Sequence, residues 1–176
     1  MNAWKKLALS LTFLTVSLIF FASRVQAQTV LTFNGIEINQ GHAESDETYG
    51  WVCYGRTTGA IPGNFTMTLD YTHPTLLPGS ENTLTGGTWT LPVYTQTMRG
   101  LTYMGVLYGR VNGGRVEWDK VGYIGTMYAQ LEITGGSQTL LGSRGWVDAI
   151  ITINRSPATI AIGPPTMNGT LTIYFW

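Results

Sequence analysis

The stretch Phe65-Thr66-Met67-Thr68-Leu69-Asp70-Tyr71 decides the fold class. Its odd positions are apolar and its even positions polar, so in an extended chain one face packs while the other meets water or a lumen. The same period of two recurs between Gly, Pro and Asn punctuation at 30–38, 48–57, 88–94, 101–111, 115–134, 145–154 and 169–176. No stretch after residue 28 sustains apolar residues at helical spacing. The pattern predicts an all-β chain of eight strands. Closing them into a single eight-stranded antiparallel β-barrel removes exposed sheet edges, and few charged residues are present to guard open ones. A two-sheet sandwich is the other arrangement that fits.

The turns point to antiparallel neighbours. Asn112-Gly113 inside Val111-Asn112-Gly113-Gly114-Arg115 accepts the positive φ of a tight hairpin and predicts a turn there. Thr85-Gly86-Gly87-Thr88 and Thr134-Gly135-Gly136-Ser137 read as further glycine turns. Residues 156–165 form a proline-bearing loop with room for a short extended run over 158–162, since proline does not fit a central strand.

The first 27 residues read as an export signal rather than as part of the fold. Lys5 and Lys6 form a positive start, residues 7–21 are apolar or hydroxyl-bearing, and Val25-Gln26-Ala27 offers a peptidase site, so cleavage is expected after Ala27. The apolar run falls short of the ~20 residues that a membrane-spanning helix needs. The domain is then 28–176, a length suited to one core. Localisation is expected to be secreted or periplasmic.

Charged residues make up 11% of the chain against about 25% in ordinary soluble domains. Removing Lys5, Lys6 and Arg24 leaves seven basic residues facing ten acidic ones, with Lys120 as the remaining lysine. A mildly acidic surface without clustered Lys and Arg excludes electrostatic capture of nucleic acid. Cys53 is the one cysteine of the sequence and cannot pair within the chain; its setting in Trp51-Val52-Cys53-Tyr54 reads as a buried, inert thiol.

No nucleophile elbow, zinc spacing, His-Glu-x-x-His pair or phosphate loop is present, so no metal and no cofactor is expected. His42 lies in the acidic segment Gly41-His42-Ala43-Glu44-Ser45-Asp46-Glu47, which lacks an EF-hand pattern and reads as a solvated loop; His73 completes the histidines. Asp70, Glu132 and Asp148 fall on the polar parity of their strands and are expected to face outward. Two Tyr-Gly-Arg triplets are the candidate binding residues: Tyr54-Gly55-Arg56 and Tyr108-Gly109-Arg110. Spacing of two puts each Tyr and Arg on one strand face, where they suit a phenolic or anionic ligand through cation-π and hydrogen-bond contacts. Placed on the outer wall instead, the same pairs serve solubility.

Gly86-Gly87-Thr88-Trp89-Thr90-Leu91, Gly105-Val106-Leu107-Tyr108-Gly109-Arg110-Val111-Asn112-Gly113-Gly114, Ile133-Thr134-Gly135-Gly136-Ser137 and Gly142-Ser143-Arg144-Gly145 occur in an order that resembles the allene oxide cyclase-like and dirigent-like barrels of the calycin group. The resemblance spans residues 84–176 and departs from the family where Gln138-Thr139-Leu140-Leu141 follows the Gly-Gly pair. It implies an exported barrel with a central apolar cavity; in plant members such a cavity steers cyclisation or coupling of a reactive intermediate. It transfers no catalytic residue, because the matching segments are glycine punctuation.

The functional expectation is a soluble exported barrel binding a small apolar or aromatic molecule in its cavity, without stable membrane association. A cofactor-free cyclase or isomerase, or a dirigent-type enzyme, would use the same space. An eight-stranded outer-membrane barrel shows the same alternation, which does not say which face is inside. Assembly with further copies of the chain is left open.

Overall fold

The computed structural model describes residues 27–45, 48–72 and 79–176. The chain runs through β1 (Ala27–Ser45), β2 (Thr48–Gly59), β3 (Gly63–Thr72), β4 (Glu81–Thr97), β5 (Gly100–Trp118), β6 (Ile124–Gly136), β7 (Gly145–Asn154) and β8 (Thr166–Phe175). Each strand pairs antiparallel with the next, and β1 pairs with β8 from Ala27 opposite Phe175 to Ile36 opposite Thr166, which closes the barrel. The eight-stranded barrel is thus the fold, and the sandwich is excluded. The export segment falls almost wholly outside the described residues, as do His73, Asp46 and Glu47.

Alternation assigns the faces. Leu31 and Phe33, Phe65 to Tyr71 at odd positions, Trp89 to Val93, and Val147 to Ile153 all point inward and are buried. Thr32, Thr68, Thr88, Thr90, Arg110, Thr152 and Thr170 are exposed on the outer wall. An outer-membrane barrel has the reverse arrangement, a polar lumen inside an apolar band. Eight strands enclose a space that side chains can fill, and here rings fill its middle. Phe33 meets Phe65 edge-on at 5.6 Å, and Phe65 stacks on Trp89 at 6.0 Å.

The expected hairpin at Asn112-Gly113 is not a turn. β5 continues to Trp118, and the reversal falls at residues 119–123, where Gly122 takes a φ of 79°. There the Asp119 carboxylate accepts from the Tyr123 amide. The partial desolvation of Asp119, which acts to raise its pKa, is outweighed by backbone N–H groups from Ile124 back to Val121, so the carboxyl lies below its usual value. Asn112 is instead the extra residue of a β-bulge: Val111 faces Leu131 and Gly113 faces Gln130.

The other two glycine pairs do the same work. Thr85 is skipped between Leu84 opposite Tyr71 and Gly86 opposite Asp70; Thr134 is skipped between Ile133 opposite Gly109 and Gly135 opposite Tyr108. In β4, β5 and β6 alike, one polar residue bulges immediately before a Gly-Gly pair. Bulges bend and twist the long strands that a narrow barrel must wrap. The proline-bearing loop also differs from expectation. Pro157–Ile160 is one helical turn capped by the Ser156 hydroxyl, which accepts from the Thr159 amide, rather than an extended run. Proline at the first helical position supplies the needed φ and lacks only an N–H that would be unpaired there anyway.

Candidate functional site

Most inward side chains are apolar, yet β1 and β7 each carry a charge on their inward parity. Glu37 follows Leu31, Phe33 and Gly35, and Arg155 follows Ile151 and Ile153 one step past β7. Both come to the end of the barrel formed by the close of β1, β3, β5 and β7. The Arg155 side chain, 14% exposed, donates through Nε and Nη2 to the two carboxylate oxygens of Glu37, which is 2% exposed. Such a two-pronged contact uses the planar fork of the guanidinium.

Two indoles that meet edge-to-face, 6.3 Å apart at 81°, form a corner that holds that guanidinium, Trp51 at 4.7 Å and Trp118 at 4.5 Å. Trp118 is inward on β5 and lies across Gly125, its partner on β6, where a Cβ would come within 2.8 Å of the ring. Its Nε1 donates to Asn82 Oδ1 at 2.6 Å, so the buried indole and the buried amide satisfy one another. Trp51 packs on Tyr71 at 4.4 Å. Cys53 faces Glu37 across the β1–β2 ladder and is fully buried. Burial pushes its thiol well above the usual range, the Glu37 charge adds to the shift and Arg155 opposes it. It is a protonated, enclosed thiol, as its sequence setting predicts.

The same end is laced by the backbone. The Glu37 amide donates to the Pro165 carbonyl at 2.8 Å, and the Arg155 amide donates to the Tyr123 carbonyl at 2.8 Å. Glu37 therefore holds both ends of the β7–β8 connection, Arg155 by its side chain and Pro165 by its main chain.

The four residues singled out from the Tyr-Gly-Arg triplets lie elsewhere. Tyr54 and Tyr108 are 43% and 42% exposed, and Arg56 and Arg110 are exposed beside them on the outer wall. They do not line the lumen, because the glycine of each triplet takes the inward position. A Cβ at Gly55 would lie 2.6 Å from the Phe33 ring, and one at Gly109 would lie 2.7 Å from Trp89 Nε1, which donates to the Glu132 carbonyl at 3.1 Å. The bare face of each triplet is thus the inside, roofed by a ring from the preceding strand.

Tyr54 and Tyr108 share one outer row through Thr66 and Thr90, three strand spacings or about 14 Å apart. The structure does not bring them together. Arg56 borders a groove of about 460 Å³ shared with Asn64, Tyr94 and Leu101. Glu132 and Asp148 are half-buried and outward, as is Asp70, in keeping with their parity. The acidic segment read as a loop is strand over His42–Ser45, with His42 opposite Gly50. Its side chains lie outside the described set.

No family model and no curated protein matches the chain. A solved dirigent protein, a pterocarpan synthase, is similar over 86% of this chain and 89% of its own, at 14% identity and a TM-score of 0.25. So loose a superposition carries no argument. The barrel rests on the strand pairing itself, and the site on the contacts given above.

Sequence reasoning passed over Glu37, Asn82 and Arg155. The signal was present: opposite charges standing on the parity that β1 and β7 otherwise reserve for apolar side chains.

Proposed function

We propose that this is an exported barrel of the allene oxide cyclase-like and dirigent-like kind that binds a small apolar or aromatic molecule at the Arg155 end of its lumen. The observation that carries the reading is the concentration of Glu37, Arg155, Asn82 and the rings of Trp51, Tyr71 and Trp118 at one end of an otherwise apolar interior. Side chains of that make-up, apolar with a few fixed polar groups, are the usual lining of a small-molecule site. The ring-filled middle of the barrel directs a ligand to this end. The threonine-rich outer wall favours a barrel that works in water.

Binding is preferred to catalysis because Glu37, the buried carboxylate among the described residues, is already committed to Arg155. A cyclase would need an acid free to meet its substrate.

Native mass spectrometry of protein purified from its source tests the reading directly. It should show a copurifying apolar molecule and a mature chain beginning at Gln28. Titration with 2-naphthol should quench the blue-shifted emission of the buried tryptophans saturably, and Trp118→Phe should weaken that binding about tenfold. No copurifying molecule together with no saturable quenching would remove the proposal; turnover of the bound molecule would favour the enzyme.

A further inference from the structure

Outside the lumen, the wall over β6, β7 and β8 departs from the threonine pattern. Trp146 packs against Tyr174 at 5.2 Å and against Trp176 at 4.9 Å, and Trp176 is 60% exposed. Register sets Glu132 on β6 opposite Trp146, and Tyr174 on β8 opposite its other side. The next row holds Gln130, Asp148 and Thr172. Gln130 and Asp148 also line a groove of about 580 Å³ with Asn112, Tyr128 and Ile150. Aromatic cluster and groove therefore form one continuous surface.

We propose that this surface binds a neutral saccharide. Exposed indole and phenol faces stack on the C–H face of a sugar ring, and they present large rigid area at little entropic cost. Around them stand acceptors and donors suited to sugar hydroxyls: two carboxylates, the amides of Gln130 and Asn112, and the Thr172 hydroxyl. Among the described residues the side chains of Glu132, Gln130, Asp148 and Asn112 make no hydrogen bond or ion pair. Their bonding capacity is unspent.

Spacing fits too. Opposed residues on neighbouring strands stand ~5 Å apart and successive outward residues on one strand ~7 Å apart, so ring and polar groups fall within the span of one or two sugar units. Charge fits the class: Glu132 and Asp148 stand against Arg110, which faces Glu132, and the exposed Arg144, whose carbonyl accepts from the Trp176 amide, so the face is nearly balanced and offers a polyanion no net attraction.

Calorimetric titration of the full barrel with cellohexaose, xylohexaose, mannohexaose, laminarihexaose and chitohexaose, with dextran sulfate as the anionic arm, decides the matter. At least one neutral hexasaccharide should bind, and Trp176→Ala and Trp146→Ala should each weaken it about tenfold. Asp148→Asn should weaken it severalfold, while Tyr54→Ala and Trp118→Phe leave it within about twofold. Trp176 is exposed, so its variant keeps the melting temperature of the parent and separates a binding defect from an unfolded barrel. Absence of binding across the neutral panel, binding indifferent to both tryptophans, or preference for dextran sulfate would each overturn the proposal. Because Trp118→Phe affects only the lumen, the two binding readings fail independently.

Discussion

Glu37 and Arg155, 118 residues apart in sequence, form a two-pronged ion pair inside the barrel mouth, with the guanidinium set in the corner made by the perpendicular rings of Trp51 and Trp118. Desolvating such a pair costs several kcal/mol per ion, so its attraction and the cation-π contacts must offset a large penalty. The consequence is asymmetric. Arg155→Met leaves Glu37 buried without its cation and should destabilise the fold by about 3–5 kcal/mol, while pairing it with Glu37→Met should recover most of that loss. Urea denaturation midpoints of the two single variants and the double variant measure this. Equal loss in the double variant would mean that the pair is needed for packing rather than for mutual neutralisation.

Cys53 makes the stability depend on pH in one direction. Its thiol is held protonated in the fold, by burial first and by the Glu37 charge second, whereas in the unfolded chain it ionises near the ordinary ~8.5. Above that value the unfolded state has released a proton that the folded state retains, so stability falls as pH rises. The slope reaches about 1.4 kcal/mol per pH unit. Cys53→Ala should flatten the decline between pH 8.5 and 10 by about that slope, which separates it from the titration of tyrosines and lysine. The native thiol should also resist iodoacetamide at pH 8 and react once urea unfolds the chain.

Trp118 joins Asn82, Arg155, the Trp51 ring and the bare backbone of Gly125. Trp118→Phe keeps a ring over Gly125 but withdraws the N–H that Asn82 Oδ1 accepts. Losing a buried donor should cost about 1–3 kcal/mol. Thermal denaturation should show the larger share of that loss disappearing when Asn82→Leu is added, because the amide oxygen then no longer needs the donor.

The period-two runs made the strand number readable, and with it which residues of β3 and β7 share a face, because alternation is local and both strands keep it without interruption; which face is inside is set by the closed barrel. The barrel ends and bends were not readable in the same way. Asn112-Gly113 suits a hairpin and a bulge equally well, since its glycine can supply a positive φ to either and stands at 144° here, and only the pairing of β5 with β4 on one side and β6 on the other selects the bulge. Strand number survived because the segment 115–118, assigned by the sequence to the following strand, is the continuation of β5. Which face of each triplet is inside is likewise set by neighbouring strands. A Tyr-Gly-Arg strand draws attention to its large side chains, while its inward glycine is the position that the neighbouring rings fix. Glu37 and Arg155 come together across closed β1, β8 and β7, a meeting that no local pattern encodes.

That view of the triplets predicts how two glycines of adjacent strands differ. A Cβ at Gly109 would stand 1.7 Å from the Glu132 carbonyl oxygen and 2.7 Å from the Trp89 indole nitrogen. The oxygen belongs to the β6 backbone, and the ring is anchored to that same oxygen, so neither can move alone. Gly109→Ala should therefore cost at least the 1–3 kcal/mol of an overpacked core and break the Trp89 hydrogen bond, which a shifted indole N–H resonance would report. At Gly86 the nearest atom to a Cβ is the Asp70 Oδ2 at 3.3 Å, the end of a side chain rather than backbone. Gly86→Ala should change the urea midpoint little, within about 0.5 kcal/mol. If both variants unfold alike, the roofing of Gly109 by Trp89 is not what excludes a side chain there.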